Sequence, residues 1–141
     1  MTQQPFIIER IVNAPVERVW KAITNKEEMK KWYFDIKDFK AEKGTKFQFE
    51  GGTKERSFIH LCEVKEVIPL KKLKYSWAYK GYPGESFVTF ELFPEGDKTK
   101  LKLTHEGLES FGNQPDFASA NFEKGWTQII GKNLPEYLAK Q

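Results

Sequence analysis

The hydrophobic positions change period along the chain, and each change marks a new element. Phe6, Ile8 and Val12 fall on one face of an extended segment and Ile7 and Ile11 on the other, which predicts a strand covered on both sides for part of its length. Arg10 shares the face of Phe6, Ile8 and Val12, an unusual place for a charge. Burying it unpaired costs several kcal/mol, so it needs an acid such as Glu63 or Glu66, or an anionic headgroup; an internal pair is expected. Asn13-Ala14-Pro15 ends the strand, and Pro15 suits a first helical turn, where its missing N–H goes unneeded. Val16, Val19, Trp20 and Ile23 then recur at helical spacing. Thr24 or Asn25 can cap a second short helix with Met29 and Trp32 on one side and Lys26, Lys30 and Lys31 outside.

Beyond Tyr33 the period becomes two. Phe47 and Phe49 alternate with Lys46, Gln48 and Glu50, and Gly51-Gly52 is expected to form a hairpin turn. A strand from about residue 56 to Ile68 carries Phe58, His60, Cys62 and Val64 on one face; Val67 is out of step, which predicts a bulge near Lys65-Glu66. Leu73, Tyr75, Trp77 and Tyr79 make the cleanest alternation, followed by a turn at Gly81-Tyr82-Pro83-Gly84. Val88, Phe90 and Leu92, then Leu101 and Leu103, mark two more strands around the turn at Pro94-Glu95-Gly96-Asp97. Successive strands with tight turns predict an antiparallel meander. Phe122, Trp126, Ile129, Ile130, Leu134 and Leu138 return to helical spacing over about 20 residues. Pro135 would clash with the carbonyl of Gly131, so this helix should kink or restart near 131–135.

The predicted architecture is therefore α+β: a curved antiparallel sheet wrapped around a long C-terminal helix, with two short helices after the first strand. A curved sheet bends away from a straight rod, and the space between them is a candidate apolar cavity. Its candidate lining is Trp32, Phe58, His60, Tyr75, Trp77, Tyr79, Phe90, Phe122 and Trp126. Regular aromatic stripes are also what plain core packing produces; filling of the space by Trp77, Trp126 and Phe122 would count against a cavity.

Composition narrows the function classes. With 141 residues there is room for one domain, 1–141. Lys+Arg is 23 and Asp+Glu 20, and no concentrated basic stripe suggests nucleic-acid binding. Cys62 is the sole cysteine, which leaves no internal disulfide and no thiolate cluster. No apolar run approaches the roughly 20 residues of a membrane helix, and the start lacks a signal-peptide pattern, so no membrane insertion and a cytoplasmic location are expected. The aromatic excess, 12 Phe, 5 Tyr and 4 Trp, suits either a large core or a ligand pocket.

Catalytic and metal chemistry find little support in these residues. His60 and Cys62 share a strand face, but His105 falls on a distant strand, too far for a shared metal ion. His60, His105, Glu63, Glu66 and Glu106 could transfer protons, yet no spacing pairs a histidine with a carboxylate. No nucleophile elbow and no phosphate-binding glycine loop occurs. No catalytic residue, metal or cofactor is assigned, and a non-enzymatic role is expected.

Three clusters of residues also resemble a known family. Arg10-Ile11-Val12-Asn13-Ala14-Pro15 with Val19-Trp20-Lys21-Ala22, Thr24, Met29 and Trp32 is similar to the N-terminal signature of the Hsp90-ATPase-activator-like (AHSA-type) branch of the START/Bet v 1-like (SRPBCC) superfamily. Glu66-Val67-Ile68-Pro69 with Leu73-Lys74-Tyr75-Ser76-Trp77 resembles its mid-chain pattern. Leu103-Thr104-His105-Glu106-Gly107 with Gly125-Trp126 resembles its late one. The resemblance spans about residues 6 to 139 and implies a helix-grip fold with a deep cavity. Superfamily members include lipid and sterol carriers, hormone receptors, aromatase/cyclase-type enzymes and a co-chaperone domain. The expected function is binding of a small hydrophobic or amphipathic molecule; the alternatives are a cyclase- or hydrolase-like enzyme, or a module with a chaperone partner.

Overall fold

The computed structural model describes residues 5–36, 38–52, 57–111 and 119–140. Strand β1 (Phe6–Val12) leads into α1 (Val16–Thr24) and α2 (Lys26–Trp32). Five strands follow: β2 (Lys46–Gly52), β3 (Ser57–Ile68), β4 (Lys72–Tyr79), β5 (Ser86–Glu95) and β6 (Lys98–Glu106). A 3-10 turn at Leu108–Phe111 precedes α3 (Ser119–Gln128), a π turn (Ile129–Asn133) and α4 (Leu134–Ala139). The sheet order is β1-β6-β5-β4-β3-β2 and each neighbouring pair is antiparallel, a meander closed on one side by β1. The α+β architecture expected from periodicity, and the helix-grip fold that the family resemblance implies, are what the structure shows.

Alternation decides which way the strands face. Leu73, Tyr75, Trp77 and Tyr79 are all buried, as are Val88, Phe90 and Leu92 on β5 and Leu101, Leu103 and His105 on β6. The bulge expected in β3 lies between Val64 and Glu66, where the pairing passes from Val64–Tyr75 to Glu66–Lys74. The extra residue brings Val67 opposite the fully buried Leu73, which explains why it fell out of step.

The helices are anchored by local chemistry. The Asn25 side chain accepts hydrogen bonds from the amides of Glu27 and Glu28 and so caps α2. Arg18 Nη1 donates to Glu28 Oε1 at 2.6 Å, and the Tyr137 hydroxyl donates to the same oxygen at 2.8 Å, joining α1, α2 and α4. Pro135 has no N–H for the Gly131 carbonyl, and the helix widens just before it: the Leu134 amide bonds the Ile129 carbonyl five residues back. The predicted interruption is thus a π turn, and Pro135 sits in the first turn of α4.

Two expectations are corrected. Gly51 and Gly52 are not a turn; they extend β2, opposite Phe58 and Ser57. Arg10 has no internal acid. It stands in register with the buried Leu101, but its side chain is exposed and Nη1 donates to the Glu9 carbonyl at 2.8 Å. Because β1 is an edge strand, the long side chain reaches water past the helix and avoids desolvation. Glu63 and Glu66, far across the sheet on β3, pair instead with Lys65 and Lys72.

The link between β4 and β5 depends on one glycine. Gly84 has φ +108°, and a Cβ there would stand 2.6 Å from the Ser110 carbonyl oxygen and 2.7 Å from Phe111 Cδ1. Gly84→Ala is expected to cost about 2–4 kcal/mol from backbone strain plus overpacking. Urea unfolding measures it; a loss under about 1 kcal/mol would mean that the 3-10 turn yields easily.

Candidate functional site

The concave side of the sheet carries an unbroken field of rings facing the C-terminal helix. Trp77 on β4 lies at its centre, with centroids 5.7 Å from Trp126, 5.3 Å from His105 and 4.8 Å from His60. Phe122 meets His105 edge-on at 4.9 Å, and Phe90 meets Trp126 at 6.3 Å. Tyr75 lies beside Phe90, and Tyr79 beside His60 and Phe111. Seven of the nine candidate residues therefore form one contiguous cluster, and Trp77, Trp126 and Phe122, buried and in ring contact within it, occupy the space where an open cavity was expected. Phe58 is half-buried at its border, edge-on to Tyr79 and Tyr82. Trp32 stands under the short helices, its indole donating to the Ala22 carbonyl at 3.0 Å and its ring stacked on Tyr33.

Polar atoms in this cluster satisfy one another. The Trp126 indole can only donate, and its Nε1 lies 2.9 Å from His105 Nδ1. His105 is held neutral, burial pushing its pKa down to about 3. Its proton must therefore sit on Nε2 and point to Ser86 Oγ at 2.7 Å, while the Ser86 hydroxyl turns to the Trp77 carbonyl at 3.3 Å. This direction disqualifies the pair as a serine–histidine dyad, because Nε2 gives a hydrogen to the serine and cannot take one. On the other side, Trp77 Nε1 donates to the Tyr79 hydroxyl at 2.8 Å, and the Tyr33 and Tyr75 hydroxyls lie 2.7 Å apart. Burial raises the pKa of all three phenols and of the Cys62 thiol, so each stays protonated at neutral pH. His60 is lowered to about 4 by burial, against the opposing pull of the Phe58 and Phe49 carbonyls. The cluster is uncharged, aromatic and edged with hydroxyl and N–H groups.

One part of the wall is built differently. Gly51 occupies an inward position of β2 with no side chain to fill it. The ring of Phe34, from the segment after α2, occupies that slot: its Cε1 stands 3.0 Å from where a Gly51 Cβ would be, and His60 Cε1 3.1 Å. Phe34 is only half-buried, stacks on Phe49 at 4.5 Å and contacts Tyr33 edge-on at 4.7 Å.

Sequence reasoning missed Phe34, Tyr33, Phe49, Gly51 and Ser86. Phe49 and Ser86 were accessible to it, since both sit at inward positions of period-two strands. Tyr33 and Phe34 lie where no periodicity operates. Among the described residues, no group of three or more His, Cys, Asp or Glu side chains converges, and no helix is long and apolar enough to cross a membrane.

A six-stranded antiparallel sheet gripping a C-terminal helix through an aromatic, uncharged interior defines a helix-grip protein of a class consistent with ligand binding between the two layers. The chain belongs to the family described as Activator of Hsp90 ATPase homolog 1-like protein, whose model matches residues 13–139. Among solved structures it is similar to protein MLL2253 from Mesorhizobium loti, at 27% identity and a TM-score of 0.80, covering 98% of each chain. CalU16 from Micromonospora echinospora is 26% identical, with a TM-score of 0.70 over 96% of this chain and 74% of that one. DynU16, from the dynemicin biosynthetic locus, shares the fold at 23% identity and a TM-score of 0.79; this chain spans 48% of its length. No curated protein matches the sequence.

Proposed function

We propose that the protein binds a small hydrophobic or amphipathic molecule between the sheet and the C-terminal helix, and that the ligand enters by displacing the Phe34 ring. The observation that carries this reading is the Gly51 slot, an inward strand position left empty of its own side chain and stoppered by a half-buried ring from a segment without regular structure. A planar group in the place of Phe34 would stack on Phe49, whose other neighbour in the stack is His60. Trp77 and Tyr79 lie just behind His60 and would form the deeper wall. A ligand burying about 300 Å² of apolar surface gains about 7.5 kcal/mol. Association costs at least ~4 kcal/mol, so binding is permissive unless a polar group of the ligand pairs with the hydroxyl edges.

The test uses anilinonaphthalene sulfonate as a planar amphipathic probe, with near-UV circular dichroism verifying that each variant is folded. Phe34→Ala is expected to bind the probe about tenfold more tightly than the wild type, because the competing ring is gone. Adding Gly51→Val should fill the slot and abolish the gain. Equal probe affinity in the wild type and Phe34→Ala, with no adduct in native mass spectra of gently purified protein, would overturn the reading.

Family membership favours a second reading, a chaperone-linked module acting on an Hsp90-type ATPase. That activity would use the surface, and Phe34→Ala would leave it unchanged. The enzyme alternative loses the Ser86–His105 pair as its machinery on the hydrogen-bond direction described above.

A further inference from the structure

A recess of about 580 Å³ lies on the outside of the molecule where β1 meets the C-terminal helix. β1 contributes Arg10; the helix contributes Lys124, Thr127, Gln128 and Lys132, which recur at three- and four-residue spacing along one stripe. The floor between them is Gly131 in the π turn. Its missing side chain lets the guanidinium lie on the helix, Nη2 3.5 Å from where a Cβ would be. Three cations thus face a recess whose one acid among the described residues is Glu123. Among the described residues, Arg10, Lys124 and Lys132 enter no ion pair, although seven other pairs form elsewhere on the surface.

We propose that this recess binds a dianionic phosphate group, as free phosphate or as the monoester of a soluble small molecule. With Nη1 held by the Glu9 carbonyl, the Nε and Nη2 side of the guanidinium, turned towards Gly131, is the fork that matches two phosphate oxygens, and the two helix ammonium groups lining the recess add point charge. Three cations against one carboxylate leave the surplus that a dianion neutralises. The Thr127 hydroxyl supplies an uncharged donor at the same wall. Gln128 already donates its amide to Asn133 Oδ1 at 2.9 Å, which holds the side chain in place along the stripe. The recess lies on the outer face of the helix whose inner face carries Trp126.

Nuclear magnetic resonance titration of the isotope-labelled protein with inorganic phosphate, then with phenyl phosphate, tests it against chloride at matched ionic strength. The expected result is saturable shifts confined to the amides around residues 10, 124, 127, 131 and 132. Arg10→Gln should weaken binding about tenfold, and Arg10→Lys should fall between, since it keeps the charge and loses the fork. Lys71→Gln, on the exposed turn between β3 and β4, removes one charge elsewhere and should change affinity less than twofold. All these side chains are exposed, so folding is not at risk. Shifts that never saturate, or equal losses in Arg10→Gln and Lys71→Gln, would overturn the proposal as diffuse surface charge. Flotation with vesicles containing phosphatidic acid separates the source; binding to vesicles without binding to either soluble phosphate would overturn the soluble-ligand assignment.

Discussion

Trp126→Ala is expected to lower the unfolding free energy by about 4–6 kcal/mol, enough to unfold much of the protein at physiological temperature. Removing a fully packed tryptophan costs about 3–5 kcal/mol in transfer and cavity terms. Here the indole also touches Tyr33, Trp77, Phe90 and His105, rings contributed by three strands and the segment after α2. The second cost is polar. Without the indole N–H, His105 Nδ1 becomes a buried acceptor with no partner, worth a further ~1–3 kcal/mol. Trp126→Phe keeps most of the apolar surface and loses the donor, and should cost about 2–3 kcal/mol. Urea unfolding of the three proteins separates the terms. Equal stabilities for Trp126→Phe and the wild type would mean that the Trp126–His105 bond contributes nothing, and the tautomer argument against a Ser86–His105 dyad would fall with it. Total stabilities of domains this size are commonly about 5–15 kcal/mol, which is why this single side chain matters so much.

Acid should unfold the protein well above the pH at which carboxylates alone would. His105 and His60 have folded pKa values lowered to about 3 and about 4, from an ordinary 6.5. Their surroundings among the described residues are uncharged: Ser86, Trp77, Phe122 and Trp126 around His105, and Phe34, Phe49, Trp77 and Tyr79 around His60. The sign follows from proton binding. Between pH 6.5 and about 4 the unfolded chain holds a proton on each histidine and the native protein holds none, so stability falls as pH falls. It is complete above pH 6.5 and lost on the way down. Two protons taken up on unfolding give a slope of about 2.7 kcal/mol per pH unit below pH 6. For a domain at the low end of ordinary stabilities, about 5 kcal/mol, this loss alone reaches the unfolding midpoint at about pH 4.5. His60→Leu should halve the slope by leaving His105 as the one buried histidine. An unchanged slope in that variant would show that His60 is already protonated in the native state, or reaches water there.

How much of this was legible beforehand depended on whether a residue obeyed a period. Tyr75, Trp77 and Tyr79 could be placed on one inward face because a strand admits only two directions, and Phe122 and Trp126 on one helix face because a helix turns every 3.6 residues. Arg10 obeyed its period and still misled. The pattern assigned its Cβ correctly to the inner face, but only its place on an edge strand beside Gly131 let the guanidinium reach water. Gly51 misled in the opposite way: a double glycine suggests a turn, whereas in the fold its bare backbone faces Phe34. Of the phosphate recess only Arg10 was legible, as a charge that an anionic headgroup could meet; Lys132 is 122 positions away and lines the same recess only because β1 lies along the helix.

The sequence by itself determined the elements, their order, their inward faces, the bulge in β3 and the interruption before Pro135. Each of these is set by local sterics and by the burial of apolar side chains at a fixed spacing. Tertiary structure alone decided which polar atoms met: Trp126 with His105, His105 with Ser86, Trp77 with Tyr79, and Phe34 with the slot over Gly51. Hydrogen bonds and ring contacts depend on distances of a few tenths of an ångström between elements far apart in the chain, and no periodicity along one element carries that information.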